Sequence, residues 1–182
     1  RDDIEDDQVG LYSSRFAMLG HSAKTHPDKL VFKLLKNGFG GICYDGQYFF
    51  DTDHPTLVNG VPTSVSNFTD GAKTPWYLLC TTFPLKPLIF QKRRPYTFVN
   101  MDRETDENVF MRAEYVFGVD ARVNAGYGLW QLAYGSKEDL TAENYAAARA
   151  AMMAFKGDNG DPLGIVPNLL VVPPSLEGPA RK

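Results

Sequence analysis

The side chains best placed to do chemistry are Asp45, Asp51, Asp53 and His54, three carboxylates and an imidazole within ten residues. That donor set suits metal-assisted hydrolysis, in which a bound cation activates a water. The spacing argues against it. No helical HxxxH pair occurs, and each of these residues is at home in the turns that Gly46 and Pro55 mark. His21 and His26 are five apart and fall on different sides of a helix, which suits a surface residue and a capping residue better than a shared metal. Asp158-Asn159-Gly160-Asp161 resembles the start of a calcium loop but lacks the twelve-residue pattern and its closing Glu, so it reads as a Gly-rich turn. No Walker loop, dinucleotide fingerprint or GxSxG is present, and the Asn67-Phe68-Thr69 sequon has no role in a cytosolic protein. The residues therefore predict no catalytic group, no cofactor and no metal. The competing reading is a soluble hydrolase or binding module built on the Asp51/Asp53/His54 loop, which would require a deep pocket lined by those three side chains.

The composition is that of a globular chain. Its 182 residues are 43% hydrophobic and 13% aromatic, enough for a sizeable core in one large or two small domains. The 16 Gly and 12 Pro are too few for a disordered chain and serve as punctuation. A net charge of -3 supplies no overall basic field, so specific nucleic-acid binding is not expected. Cys43 and Cys80 belong to no CxxC or Cys/His cluster and read as free, buried thiols in a reducing compartment. The opening Arg1-Asp2-Asp3-Ile4-Glu5-Asp6-Asp7 is neither a signal peptide nor an anchor, and no apolar run approaches a membrane span. This acidic run has two readings of equal standing: a solvated helix start, or a contact with basic residues of a neighbouring subunit. The absence of an initial Met, and a helix beginning at residues 175–182, suggest a piece of a longer chain.

Several elements must position these side chains. Val9, Tyr12, Phe16, Leu19 and Ala23 recur at steps of three and four and predict a helix over residues 8–24. His26-Pro27 interrupts it, Leu30, Val31, Leu34 and Leu35 resume the apolar face, and Asn37-Gly38 stops it, so both halves can form one kinked rod. Residues 38–75 are broken by Gly40-Gly41, Asp45-Gly46, Asn59-Gly60 and Asp70-Gly71 and predict loops with at most short strands. Aromatic and β-branched runs at 76–81, 87–91, 109–117, 119–123 and 127–134 predict an antiparallel β region over 76–135, with an exposed hairpin tip or flexible loop at 100–108. Thr141 caps a helix whose stripe is Tyr145, Ala148, Met152 and Phe155, and Gly157 ends it. Residues 169–172 predict a strand buried on both faces, with Pro173-Pro174 opening another helix.

Seven runs in register carry a resemblance to a known family: Arg1–Asp7 with Gly10-Leu11-Tyr12; Pro27-Asp28 with Phe32-Lys33-Leu34-Leu35; Tyr44-Asp45-Gly46-Gln47 with Phe49-Phe50-Asp51 and His54-Pro55; Trp76-Tyr77-Leu78-Leu79; Leu85-Lys86-Pro87-Leu88-Ile89 with Gln91; Trp130-Gln131-Leu132-Ala133; and Lys156-Gly157-Asp158-Asn159-Gly160 through Pro174. Together they resemble the major head (capsid) subunit of Mu-like phages and prophages, the gpT family.

The resemblance implies an α+β chain of the Hong Kong 97-type capsid fold, with a long spine helix, a β-rich peripheral region, and an axial domain of a central sheet with flanking helices. Residues 1–37 would be the spine part of the peripheral domain, 38–75 a loop-rich connection, 76–135 the β region and 136–182 the start of the axial domain. An N-terminal arm and extended loop would precede Arg1, and further chain would follow Lys182. It also implies a structural protein and not an enzyme, one that self-assembles through hexamers and pentamers into an icosahedral shell enclosing DNA. Scaffold, portal and protease would be its other partners, and it would reside in the virion capsid after the bacterial host cytoplasm. Without the missing parts the chain is expected to stay monomeric or to associate weakly.

Overall fold

The computed structural model describes residues 10–181; the acidic run at 2–7 and Val9 lie outside them. The chain forms two compact units, one from residues 1–32 and 90–125, the other from 33–89 and 126–182.

The first unit is built on helix α1, Leu11–Lys36, which continues into the second. It is a single helix of 26 residues, so the two predicted halves are joined, with Pro27 inside. Pro27 has no N–H to offer the Ala23 carbonyl, which is the break the sequence marks. Phe16, Leu19 and Ala23 are half-buried, as their spacing predicts. They face two long paired strands, β5 (Leu88–Met101) and β6 (Val116–Tyr127). Phe16 meets Phe98 edge-on with ring centroids 6.4 Å apart and Phe117 at 4.7 Å, contacts of about 0.5–1.5 kcal/mol each. Between the strands sits a short helix, α2 (Glu107–Arg112). The strand expected over 109–117 is therefore corrected. The Asp106 carboxylate accepts from the Arg103 amide at 3.0 Å and turns the chain into α2, and Ala113 then adopts a left-handed conformation, so extended backbone starts only at Val116. The expected tip at 100–108 is exposed but tied, since the Asn108 amide donates to the carbonyls of Met101 and Glu114 at 3.0 and 2.6 Å. The short strand expected at 87–91 is the beginning of β5, whose exposed basic residues hid its extension.

The second unit holds most of the core. Its four-stranded sheet runs β3 (Phe68–Thr69), β7 (Ala133–Ser136), β4 (Trp76–Leu79), β8 (Leu169–Val171). β4 is antiparallel to β7, pairing Trp76 with Ser136, and antiparallel to β8, pairing Tyr77 with Val171, whereas β3 is parallel to β7. The region 76–135, expected as one β block, is thus divided: β4 and β7 share a sheet with β8, while most of β5 and β6 lies in the first unit. Two further details differ. The run 127–134 is interrupted by a 3-10 turn at Trp130–Leu132, and β8 is an edge strand among the described residues, with Leu169 44% exposed instead of buried on both faces.

Helix α3, Ala142–Met153, packs on this sheet through Ala148 and Met152, and Thr141 caps it by accepting the Asn144 amide at 3.2 Å. Trp76, Phe49, Phe50, Leu78, Leu132 and Trp130 fill the centre, and Cys43 and Cys80 are free and buried as expected. The loop-rich stretch contains one hairpin, β1 (His54–Val58) and β2 (Val61–Val65), whose two-residue turn uses Asn59 and Gly60, both at positive φ. After β8 the chain ends in a one-turn helix, α4 (Glu177–Ala180).

Candidate functional site

His54 opens β1, and its side chain points into the interior, fully buried. Its ring lies flat on the Trp130 indole, with centroids 4.0 Å apart and planes within 7°. Nδ1 is 2.6 Å from the Asp45 carboxylate, itself only 8% exposed, and Nε2 is 3.1 Å from Asn67 Oδ1. Asn67 fixes the hydrogen-bond direction. Its Nδ2 donates to the carbonyls of Phe49 at 2.8 Å and of Trp130 and Ala133 at 3.3 Å, so Oδ1 is left to accept, from both His54 and the Asp51 amide at 2.9 Å. Nε2–H is therefore the donor to Asn67, and Nδ1 faces the Asp45 carboxylate. A buried charge is tolerated only when partnered in this way.

The carboxylates of Asp51 and Asp53 do not join this arrangement. The Asp51 carboxylate accepts the backbone amides of Tyr48 at 3.1 Å and Thr52 at 2.8 Å, the work of a turn. Asp53 is exposed, and a hydrogen bond with Asp51 holds its carboxyl above its ordinary value. A cavity of about 450 Å³ does open nearby, between Tyr44, Asp45, Pro55, Leu57, Trp130 and Asp158, but Asp51, Asp53 and His54 do not line it. The hydrolase reading needed all three in one pocket. His54 has both nitrogens engaged and no exposed atoms, so it offers neither a base nor a metal ligand to a substrate.

The other candidates resolve in the same direction. His21 is exposed, while His26 is not a cap: α1 runs through it, and its Nδ1 meets the Tyr96 hydroxyl at 2.6 Å. Asp158–Asp161 forms a turn closed by the Gly157 amide on the Asp161 carbonyl at 2.9 Å, with Gly160 at positive φ. No group of three or more His, Cys, Asp or Glu suited to a metal occurs among the described residues. Burial raises the Cys43 thiol above its ordinary value, the environment of an inert thiol and not of a nucleophile. Sequence reasoning missed the role of Asn67, which joins five groups from two distant stretches of the chain, 49–54 and 130–133. Its only signal was a polar side chain directly before the apolar Phe68.

This mixed α+β chain with a 26-residue helix, whose buried polar cluster is saturated, is similar in structure to chains of phage capsids. The procapsid of bacteriophage JBD30 contains a chain similar to it with a TM-score of 0.84 and 48% identity, covering 98% of this chain and 62% of that one. A chain of the JBD30 capsid is similar with a TM-score of 0.85 and 32% identity, covering 100% and 62%. The chain belongs to the Mu-like prophage major head subunit gpT family, whose model matches residues 1–182. Among its relatives, the Mu-like prophage FluMu major head subunit of Haemophilus influenzae is 48% identical over 190 residues, and the major capsid protein of Escherichia phage Mu is 44% identical over 189. The chain is matched over its whole length in both and spans 62% of each relative.

Proposed function

We propose that this chain is the greater part of a major head subunit that assembles with copies of itself, as hexamers and pentamers, into a closed icosahedral shell around DNA. The observation that carries this reading is the family match over all 182 residues, joined to capsid and procapsid structures at TM-scores of 0.84–0.85. The role is structural and not enzymatic, in keeping with a His54 site that holds loops together and exposes no reactive group. In Hong Kong 97 terms α1 is the spine, β5 and β6 are peripheral, and the β3-β7-β4-β8 sheet with α3 begins the axial domain. Its mechanism is the repetition of modest interfaces in a symmetric lattice, where many weak contacts close together. Scaffold, portal and protease are its partners during assembly, in the host cytoplasm, and the virion is its final location.

Electron microscopy of the longer subunit, expressed with its scaffold, tests the proposal. Uniform shells or flat hexamers and pentamers are expected. A subunit that stays dispersed and monomeric under all conditions would overturn it.

A further inference from the structure

In β6, Ala121 and Val123 line a cavity against α1 together with Leu19, Ala23 and His26, so the alternate residues Arg122 and Asn124 point away from the helix. There they meet Gln91 and Arg93 of β5 around a polar depression of about 310 Å³. Lys92 and Arg94 are the chain neighbours of Arg93, and all four cationic residues are exposed. Asp120 pairs with Arg94 at 2.8 Å, while Arg93 and Arg122 have no ion-pair partner among the described residues. Two unpaired guanidiniums around one depression form a receptor for carboxylates or phosphates.

The rest of the sequence supplies a matching anion. Residues 1–7 hold five carboxylates and one guanidinium, a charge of -4 in a chain whose formal net is -3, so the remaining 175 residues are left at +1. The same copy cannot bring the last three of these carboxylates, Glu5, Asp6 and Asp7, to its own depression. Tyr96 sits beside His26, and Gln91 to Arg94 lie further along β5, away from Phe98 and its contact with Phe16. From Gly10 to the level of His26 the helix rises about 24 Å. Glu5, Asp6 and Asp7 precede Gly10 by at most five residues, no more than about 18 Å of extended chain. We infer that the guanidiniums of Arg93 and Arg122 of one copy receive the carboxylates of Glu5, Asp6 and Asp7 of a second copy, with Lys92 next to Arg93 in the chain. This inference rests on the shell reading for the presence of neighbouring copies, and it names one contact between them.

A carbodiimide joins a carboxylate to a lysine amine only at contact, so Lys92 reports the interaction. Isotope-labelled and unlabelled forms of the 182-residue chain are mixed, cross-linked and digested. Peptides joining residues 5–7 of one isotope to Lys92 of the other are expected. They should be lost in Arg93→Glu/Arg122→Glu, with an unchanged circular dichroism spectrum, and lost in the unaltered chain at about 0.5 M NaCl, where the Debye length falls to about 4 Å. Same-isotope links alone would overturn the inference, as would mixed links that survive both the variant and the salt. If no mixed links form and a short DNA duplex binds the unaltered chain but not the variant, the strip is a nucleic-acid contact instead. Shells that form normally from the longer subunit carrying R93E/R122E would sink this contact while leaving the assembly proposal standing.

Discussion

The Tyr127 hydroxyl donates to the Leu34 carbonyl at 2.9 Å, tying the last residue of β6 to the final turns of α1. The ring is held for this by stacking on Phe49, with centroids 4.5 Å apart, and by Gly41, where a Cβ would run into the tyrosine ring. Tyr127→Phe should lower unfolding free energy by about 1 kcal/mol, one hydrogen bond, in a urea titration. Gly41→Ala should lower it by more, about 1–3 kcal/mol, because the clash displaces a packed ring. Equal effects would show that the hydroxyl, and not the packing of the ring, carries the contact.

Breaking the His54 arrangement should be among the most damaging single changes. His54→Ala leaves the Asp45 carboxylate and Asn67 Oδ1 short of a donor and opens a space above Trp130. The expected loss is about 3–5 kcal/mol, the range for removing one partner of a buried pair. Thermal unfolding reads it directly. A variant as stable as the parent would return His54 to the list of residues kept for another purpose.

Tyr77 offers the opposite case. It is buried, its hydroxyl has no hydrogen-bond partner, and burial pushes its pKa up to about 12. Because the folded value lies above the unfolded one, its contribution is fully present below about pH 10 and is lost as pH rises through about 12, to a limit of roughly 2–3 kcal/mol. Tyr77→Phe should therefore be neutral or stabilising by up to about 1 kcal/mol at pH 7, and should flatten the alkaline fall in stability. An unchanged alkaline limb would assign that fall to other groups, of which Tyr44 and Tyr127 are also raised by burial.

At the start of α3, Thr141→Ala should cost about 1 kcal/mol by removing the cap on the Asn144 amide. Glu143 beside it is held below its ordinary value, first by a backbone hydrogen bond and then by Thr141. Its contribution is present above the ordinary glutamate range and disappears as pH falls below it. Acid titrations of parent and T141A should therefore differ most at neutral pH and draw closer as Glu143 protonates, with the cap on the Asn144 amide as the remaining difference.

Helices were legible where apolar residues recur on a regular step, as in Phe16, Leu19 and Ala23 or Tyr145, Ala148 and Met152. Strand runs were legible in kind but not in partnership. Nothing local distinguishes Trp76–Leu79, which joins the large sheet, from Leu88–Met101, which pairs with β6 elsewhere, because partner choice is set by long-range contact. Val109 misled for a related reason: a β-branched residue in an aromatic neighbourhood resembles a strand, yet the Asp106 turn outweighs that preference over six residues. The polar cluster was legible as composition, and the turn role expected of Asp51 matches its bonds to Tyr48 and Thr52. The His54 and Asn67 geometry was not, since it depends on carbonyls from residues 49, 130 and 133 converging in space.

Pro27 gives α1 one missing rung, because the Ala23 carbonyl has no amide above it. A rod lacking a rung is most compliant at that level. In the shell proposed above, identical subunits would occupy places of slightly different curvature, and the proline would give such bending a fixed address along the helix.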